Sequence, residues 1–361
     1  MQGTLTFHTL AGNSVHLMKS SAKSFFSIAC LFLLSACINR ETKQDSPVRS
    51  DYYSYDQHPE AGGVRMIPVK TPVGEFKVWT KRFGNNPKIK VLLLHGGPAM
   101  THEYMECFET FFQREGFEFY EYDQLGSYYS DQPKDSSLWT TERFVEEVEQ
   151  VRQAIGADSS NFYLLGNSWG GILAMEYTLK YQQHMKALLV SNMMASAPEY
   201  GKYAEEVLSK QMPPDVLAEI RAIEAKGDFA NPRYMELLMP HYYKQHICRL
   251  EDWPDGLNRA SKHCNMEIYT MMQGPSEFGI SGRLSNWDIR DRLKEIAVPS
   301  LMIGAKYDTM DPKAMEAQSK AVKRGRYLYC PNGSHLSMWD DQEVFMKGVL
   351  SFIHEVNEGK F

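Results

Sequence analysis

The segment NFYLLGNSWGGILAMEYTLKY, residues 161–181, constrains the fold more than any other stretch of the chain. Asn161–Leu165 reads as a short apolar strand, and Ile172–Tyr181 has helical spacing. Between them sits G-N-S-W-G. A strand that passes into a helix through so short a link needs a tight, strained turn, which lifts the central hydroxyl of Ser168 above the sheet. Gly166 and Gly170 suit that turn, because Cβ atoms there would collide with the neighbouring strand and helix. The five-letter pattern is weak by itself. Its flanks make it an elbow, and an elbow needs a sheet and helices to pack against.

Other apolar runs supply that sheet. Gly74–Thr80 alternates like an edge strand, while Ile89–Leu94, Phe117–Tyr122, Ala187–Ser191, Ser300–Gly304 and Arg326–Tyr329 read as further strands. Helical spacing covers Thr141–Ile155, Pro312–Lys323 and Gln342–Val356. The alternation predicts an α/β fold with a mostly parallel central sheet flanked by helices. It breaks between 196 and 284, a stretch rich in Tyr, Met, His and Trp with helical spacing and no convincing strand. The expected organisation is a core of residues 61–195 and 285–361, with a helical cap of residues 196–284 inserted after the sixth strand.

A serine nucleophile needs a base to take its proton and an acid to orient that base. On such a sheet the expected order is Ser, then Asp or Glu, then His, each at a strand end. Asp308 follows SLMIGAKY and His335 follows RYLYCPNGS, where the geometry requires them. Asp311 is the rival acid, but it precedes Pro312 and reads as a helix cap. A tetrahedral intermediate also needs two N–H donors on its oxyanion. The backbone of Trp169, next to the nucleophile, and that of Gly97, in the strand-end loop HGGPA (95–99), are the candidates. His95 reads as a brace for that loop.

HGGP, DQLGSYYS, GNSWGG, GAKYD and GSHLSMW occur in an order that resembles the prolyl aminopeptidase (proline iminopeptidase) family of α/β-hydrolases. The cap segments HYYKQHICRLEDWP and MQGPSEFGISGRLSNWD are similar to its tricorn-associated aminopeptidase branch, and the likeness spans about residues 60–355. The resemblance implies the α/β-hydrolase fold. It also implies a serine exopeptidase that releases N-terminal residues, preferentially proline, from short peptides through an acyl-enzyme. It assigns Glu277, in GPSEF, to the glutamate that pairs with the substrate's free amine, which would reject acylated N-termini. Two positions depart from the pattern. Thr309 stands where the branch commonly has a second acid, and Ala99 replaces the usual final glycine of HGGPG. Losing a carboxylate would weaken amine recognition unless Asp311 compensates. An amino-acid amidase or esterase on the same triad is the alternative, and a non-catalytic peptide-binding lipoprotein is another.

The net charge of −6 implies no basic face for phosphates, so no nucleic-acid partner is expected. No metal or organic cofactor is implied: no CxxC spacing exists, and His241 and His246 do not share a clean helical face. Trp253, Trp287 and Trp339 are expected to pack core, and Trp169 to touch substrate. Ahead of the core, MKSSAKSFFSIACLFLLSAC (18–37) has a short basic region, an apolar run too short to span a bilayer, and a lipobox-like L-S-A-C. Residues 1–17 look unlike a signal. Lipidation at Cys37, a polar tether over 38–60 and an exported, membrane-anchored protein are expected. That route permits disulfides among Cys107, Cys248, Cys264 and Cys330, with Cys248 and Cys264 able to join within one segment.

Overall fold

Short apolar runs, covered on both faces, become the strands of a single eight-stranded sheet. The computed structural model describes residues 61–361; the leader, Cys37 and the tether lie outside the described residues. The strands are β1 (Val64–Thr71), β2 (Gly74–Phe83), β3 (Lys90–Leu94), β4 (Glu118–Asp123), β5 (Phe162–Asn167), β6 (Ala187–Ser191), β7 (Ser300–Ala305) and β8 (Gly325–Cys330). Their spatial order is β1-β2-β4-β3-β5-β6-β7-β8. Strand β2 runs antiparallel to β1 and β4, and every other pairing is parallel.

The Gly74–Thr80 run is not the edge. Strand β1 lies outside it, with Pro68 opposite Lys77. A proline lacks the N–H a central strand must donate, so it breaks the strand pattern in sequence yet is tolerated at an edge.

Helices α1 (Cys107–Arg114), α2 (Thr141–Ala154) and α3 (Trp169–Tyr181) precede the insertion. Within it come α4 (Ala197–Tyr203), α5 (Pro214–Lys226), α6 (Pro232–Leu238), α7 (Lys244–His246), α8 (Asp255–His263) and α9 (Met266–Met272). After it come α10 (Pro312–Ala321), α11 (Ser337–Asp340) and α12 (Gln342–Asn357). Alternate residues of β5 serve opposite faces. Phe162 and Leu164 pack with Val148 of α2, Ile172 of α3 and Met315 of α10, whereas Tyr163 and Leu165 pack with Phe112 of α1 and Phe352 of α12.

The inserted helices bury a core of their own around Ile220, Tyr234, Leu238, Tyr242 and Phe278. Their stem is laced where the chain leaves and re-enters the sheet layer. Ala197 N–H donates to Trp287 O at 2.8 Å, Ile289 N–H to Ala195 O at 2.9 Å, and Ser196 Oγ to Asp288 at 3.0 Å. Among the described residues no helix is long and apolar enough to cross a membrane. Cys107, Cys248, Cys264 and Cys330 are free thiols, so the suggested Cys248–Cys264 bridge is not formed. Cys248 is packed in the apolar layer that includes α12, whereas Cys264 faces a cavity in front of Ser168.

Candidate active site

The elbow is as tight as its glycines suggest. Ser168 holds φ 56° and ψ −124°, outside the regions side chains prefer. Its N–H donates to Ser191 O on β6 at 3.0 Å, which ties the strained residue to the sheet. A Cβ on Gly166 would lie 1.9 Å from Gly170 O in α3, and one on Gly170 would lie 2.1 Å from Leu94 O in β3. Backbone atoms cannot move aside, so neither position accepts a side chain.

Asp308 leaves β7 and His335 follows β8, and the fold brings them together. His335 Nδ1 lies 2.8 Å from Asp308 Oδ1, so Nδ1–H donates to the carboxylate. The other oxygen, Oδ2, accepts from Asn192 Nδ2 at 2.7 Å. His335 Nε2 is buried without a hydrogen-bond partner among the described residues and shares a cavity with Ser168. Burial pulls the imidazole pKa down. The hydrogen bond and charge of Asp308, with the charge of Glu277, outweigh that and hold it above the ordinary histidine value.

Gly97, at φ 112°, lines the same cavity. Its loop is braced from several sides: Gly96 N–H donates to Tyr104 Oη at 2.6 Å, and Tyr104 donates to Asn167 Oδ1 at 2.9 Å. Asn265, at the start of α9, donates its N–H to Ala99 O at 2.9 Å, so the cap holds the loop directly. His95 is a brace: its Nε2 accepts from Gln124 N–H at 3.1 Å and its Nδ1 lies 2.8 Å from Gly96 O. Full burial lowers its pKa to about 4, which keeps it neutral.

Ala99 stands at φ 62°, the left-handed region that favours glycine. That conformation costs a non-glycine residue about 1–2 kcal/mol. A glycine there would forfeit a buried methyl worth about 0.8 kcal/mol and add about 0.4–1 kcal/mol of unfolded-state entropy. The terms nearly cancel, which accounts for the alanine.

The Trp169 side chain does not line the cavity in front of Ser168. As Trp169 is the first residue of α3, its N–H has no intrahelical partner. Its indole is turned into the core, 1% exposed, with Nε1 donating to Gln124 Oε1 at 2.8 Å. The expectation that this ring touches substrate is therefore wrong. The helix that the elbow launches carries the ring into the core, edge-on to Phe144.

The cavity measures about 360 Å³ and is mostly apolar. Glu277 is the acidic residue among its lining side chains, and four tyrosines hold it. Tyr269 donates to its carboxylate at 2.5 Å, Tyr243 accepts from its N–H at 3.0 Å, and Tyr200 and Tyr242 both donate to its carbonyl. Burial raises the carboxyl pKa, opposed by His335 and by the Tyr269 hydrogen bond. Thr309 and Asp311 do not join Glu277. Thr309 Oγ1 lies 3.1 Å from His335 Nδ1 and 3.4 Å from Asp308 Oδ1, so it braces the His–Asp pair. Asp311 caps α10 by accepting from Lys313 N–H at 2.9 Å. Neither lines the cavity.

The comparisons agree with this geometry. Residues 90–342 match the family model described as alpha/beta hydrolase fold. The proline iminopeptidase of Flavobacterium johnsoniae is 82% identical over 295 residues, covering 82% of this chain and 99% of the relative. That of Elizabethkingia meningoseptica is 76% identical over 298 residues, covering 82% and 100%. The chain belongs to the proline iminopeptidase family of α/β hydrolases. A crystal structure of the Mycobacterium smegmatis proline iminopeptidase superposes with a TM-score of 0.73 at 27% identity, covering 82% of this chain and all of that one.

This proline iminopeptidase-family site includes residues that sequence reading passed over. Asn192 adopts φ 55° and grips Asp308, while its Oδ1 accepts from Ser191 and Ser337 at 2.6 and 3.1 Å. An asparagine directly after a strand is a signal for a left-handed turn. Trp253 packs against the apolar core layer as expected and also lines the cavity, with Nε1 pinned to Cys248 O at 2.9 Å. Trp287 and Trp339 pack as expected, donating to Glu176 and to Tyr104 O, each at 2.8 Å. His246 contacts Tyr307 O at 2.9 Å. Among the described residues no group of three or more His, Cys, Asp and Glu is placed to hold a metal.

Proposed function

We propose that this chain is a serine exopeptidase that releases N-terminal proline from short peptides, with Ser168, His335 and Asp308 as its triad. The observation that carries this reading is Glu277, the one carboxylate among the described residues lining an apolar cavity shared with Ser168 and His335. A free α-ammonium pairs with it, and an acylated terminus would leave a buried charge unpaired.

Ser168 Oγ attacks the scissile carbonyl as its proton passes to His335 Nε2, and Asp308 holds the imidazolium that forms. The carbonyl oxygen gains the negative charge and is held by the N–H groups of Gly97 and Trp169. The C–N bond then breaks, and the leaving nitrogen takes the proton from Nε2. A water, deprotonated by the same Nε2, attacks the acyl ester, and Ser168 recovers its proton as free proline departs. The cap leaves room for short peptides and excludes folded chains. Proline anilide should be turned over, and N-acetylproline anilide should be at least about a hundredfold poorer. Equal turnover of both would sink the amine-recognition reading and leave an amidase or esterase.

The same proposal places the protein on a membrane through Cys37. The lipobox-like LSAC at residues 34–37, after a basic region and a short apolar run, supports this. Incorporation of labelled palmitate into the whole chain, lost in Cys37→Ala, is the expected result. Incorporation that persists in the variant would exclude this site.

A further inference from the structure

We infer that the His335 side of the cavity is a leaving-group subsite that selects an uncharged, apolar residue directly after the N-terminal one. The inference rests on the exopeptidase reading and extends it to the other half of the substrate.

The cavity has two unlike walls. Around Glu277 stand the tyrosines and Tyr234 and Met235 of the cap's own core. Met100, Ile247, Trp253, Leu257 and Leu336 line it from another layer, the apolar one that lies against α1 and α12. This second wall is fixed to the base. His335 N–H donates to His246 O and Leu336 N–H to Ile247 O, each at 2.9 Å, so Ile247 and Leu336 flank the imidazole. Trp253 is pinned through Nε1 to Cys248 O.

Chemistry decides which half of the substrate meets which wall. The amine pairs with Glu277. The departing nitrogen must come within hydrogen-bond reach of His335 Nε2 to take its proton. Whatever that nitrogen carries therefore lies against Ile247, Trp253 and Leu336. Among the described residues, none of the side chains lining the cavity is a lysine or arginine. A free dipeptide would bring its terminal carboxylate into this apolar wall with no cation to receive it, a costly desolvation. An amide or a longer peptide has no such charge there. Its chain can run to the opening, where Phe229 and Met266 line the cavity yet are 41% and 52% exposed.

The test compares kcat/KM of the full chain for Pro-Phe-amide, Pro-Gly-amide and free Pro-Phe. The phenylalanyl amide should exceed the glycyl amide by about tenfold or more, and exceed the free acid by a similar factor. Trp253→Ala should reduce the Phe-to-Gly ratio several-fold, and Trp253→Lys should raise the acid-to-amide ratio. Each ratio is taken within one preparation, so a partly folded variant does not distort it. Leu257→Ala provides a second reading of the same wall, again by a reduced Phe-to-Gly ratio. Wild-type protein that handles all three substrates alike, or ratios unmoved by these substitutions, would overturn the subsite. Failure of the exopeptidase reading has a different signature, turnover of N-acetylated substrates.

Discussion

Asp308→Asn is expected to lower kcat on proline anilide by about four orders of magnitude, with little change in KM. The carboxylate is an acceptor surrounded by donors: His335 Nδ1 at 2.8 Å, Asn192 Nδ2 at 2.7 Å and the Thr309 hydroxyl at 3.4 Å. An amide of the same shape offers one acceptor oxygen. If that oxygen keeps the Asn192 bond, its NH₂ group faces Nδ1 and can only be received by an unprotonated nitrogen. The imidazole then carries its hydrogen on Nε2 and cannot accept the proton of Ser168. The site is buried, so water cannot repair the mismatch. Steady-state kinetics, with the rate of fluorophosphonate labelling of Ser168, check this. A loss smaller than about tenfold would be incompatible with Asp308 as the orienting acid.

What made the proposed triad legible was its dependence on local pattern. The elbow needs two glycines because strand and helix backbones come within contact distance, and both faces of β5 are apolar because both are covered. Asp308 and His335 lie at strand ends, so locating the strands located them. The missed features depend on which way a side chain turns. Strand β1 was hidden by Pro68, whose tolerance rests on being outermost. Trp169 is adjacent to the nucleophile in sequence, yet α3 carries its indole to Gln124. Trp253 and Thr309 reverse that relation. One packs core as its type suggests yet also lines the cavity, and the other supports the His–Asp pair from a position that reads as a lost substrate contact. The tyrosines around Glu277 come from α4, the 239–243 turn and α9, a convergence that only the folded cap creates.

Glu277→Gln should lower kcat/KM for proline anilide by about two to three orders of magnitude, since breaking a buried ion pair typically costs about 3–5 kcal/mol. It should also largely abolish the preference for a free over an acetylated amine. Glutamine keeps the shape and an oxygen for the Tyr269 hydroxyl, so what is removed is charge. The pH profile adds a sign that a packing defect would not produce. His335 works as a base only when neutral, and its pKa is held above the ordinary value partly by Glu277, so activity falls as pH drops through that raised value. Without the Glu277 charge the imidazole pKa falls, and the acid limb moves to lower pH. Loss of the Glu277 carboxyl, which must itself ionise to bind the amine, moves the limb the same way. Stability should go in the opposite sense to activity. Burial raises the carboxyl pKa in the folded state, so its ionisation opposes folding increasingly as pH rises through and above the unfolded value. A neutral glutamine is spared that cost, and Tm near neutral pH should be unchanged or higher. A variant that loses activity together with Tm, with its acid limb unmoved, would make Glu277 a structural residue and leave the substrate's amine without a partner.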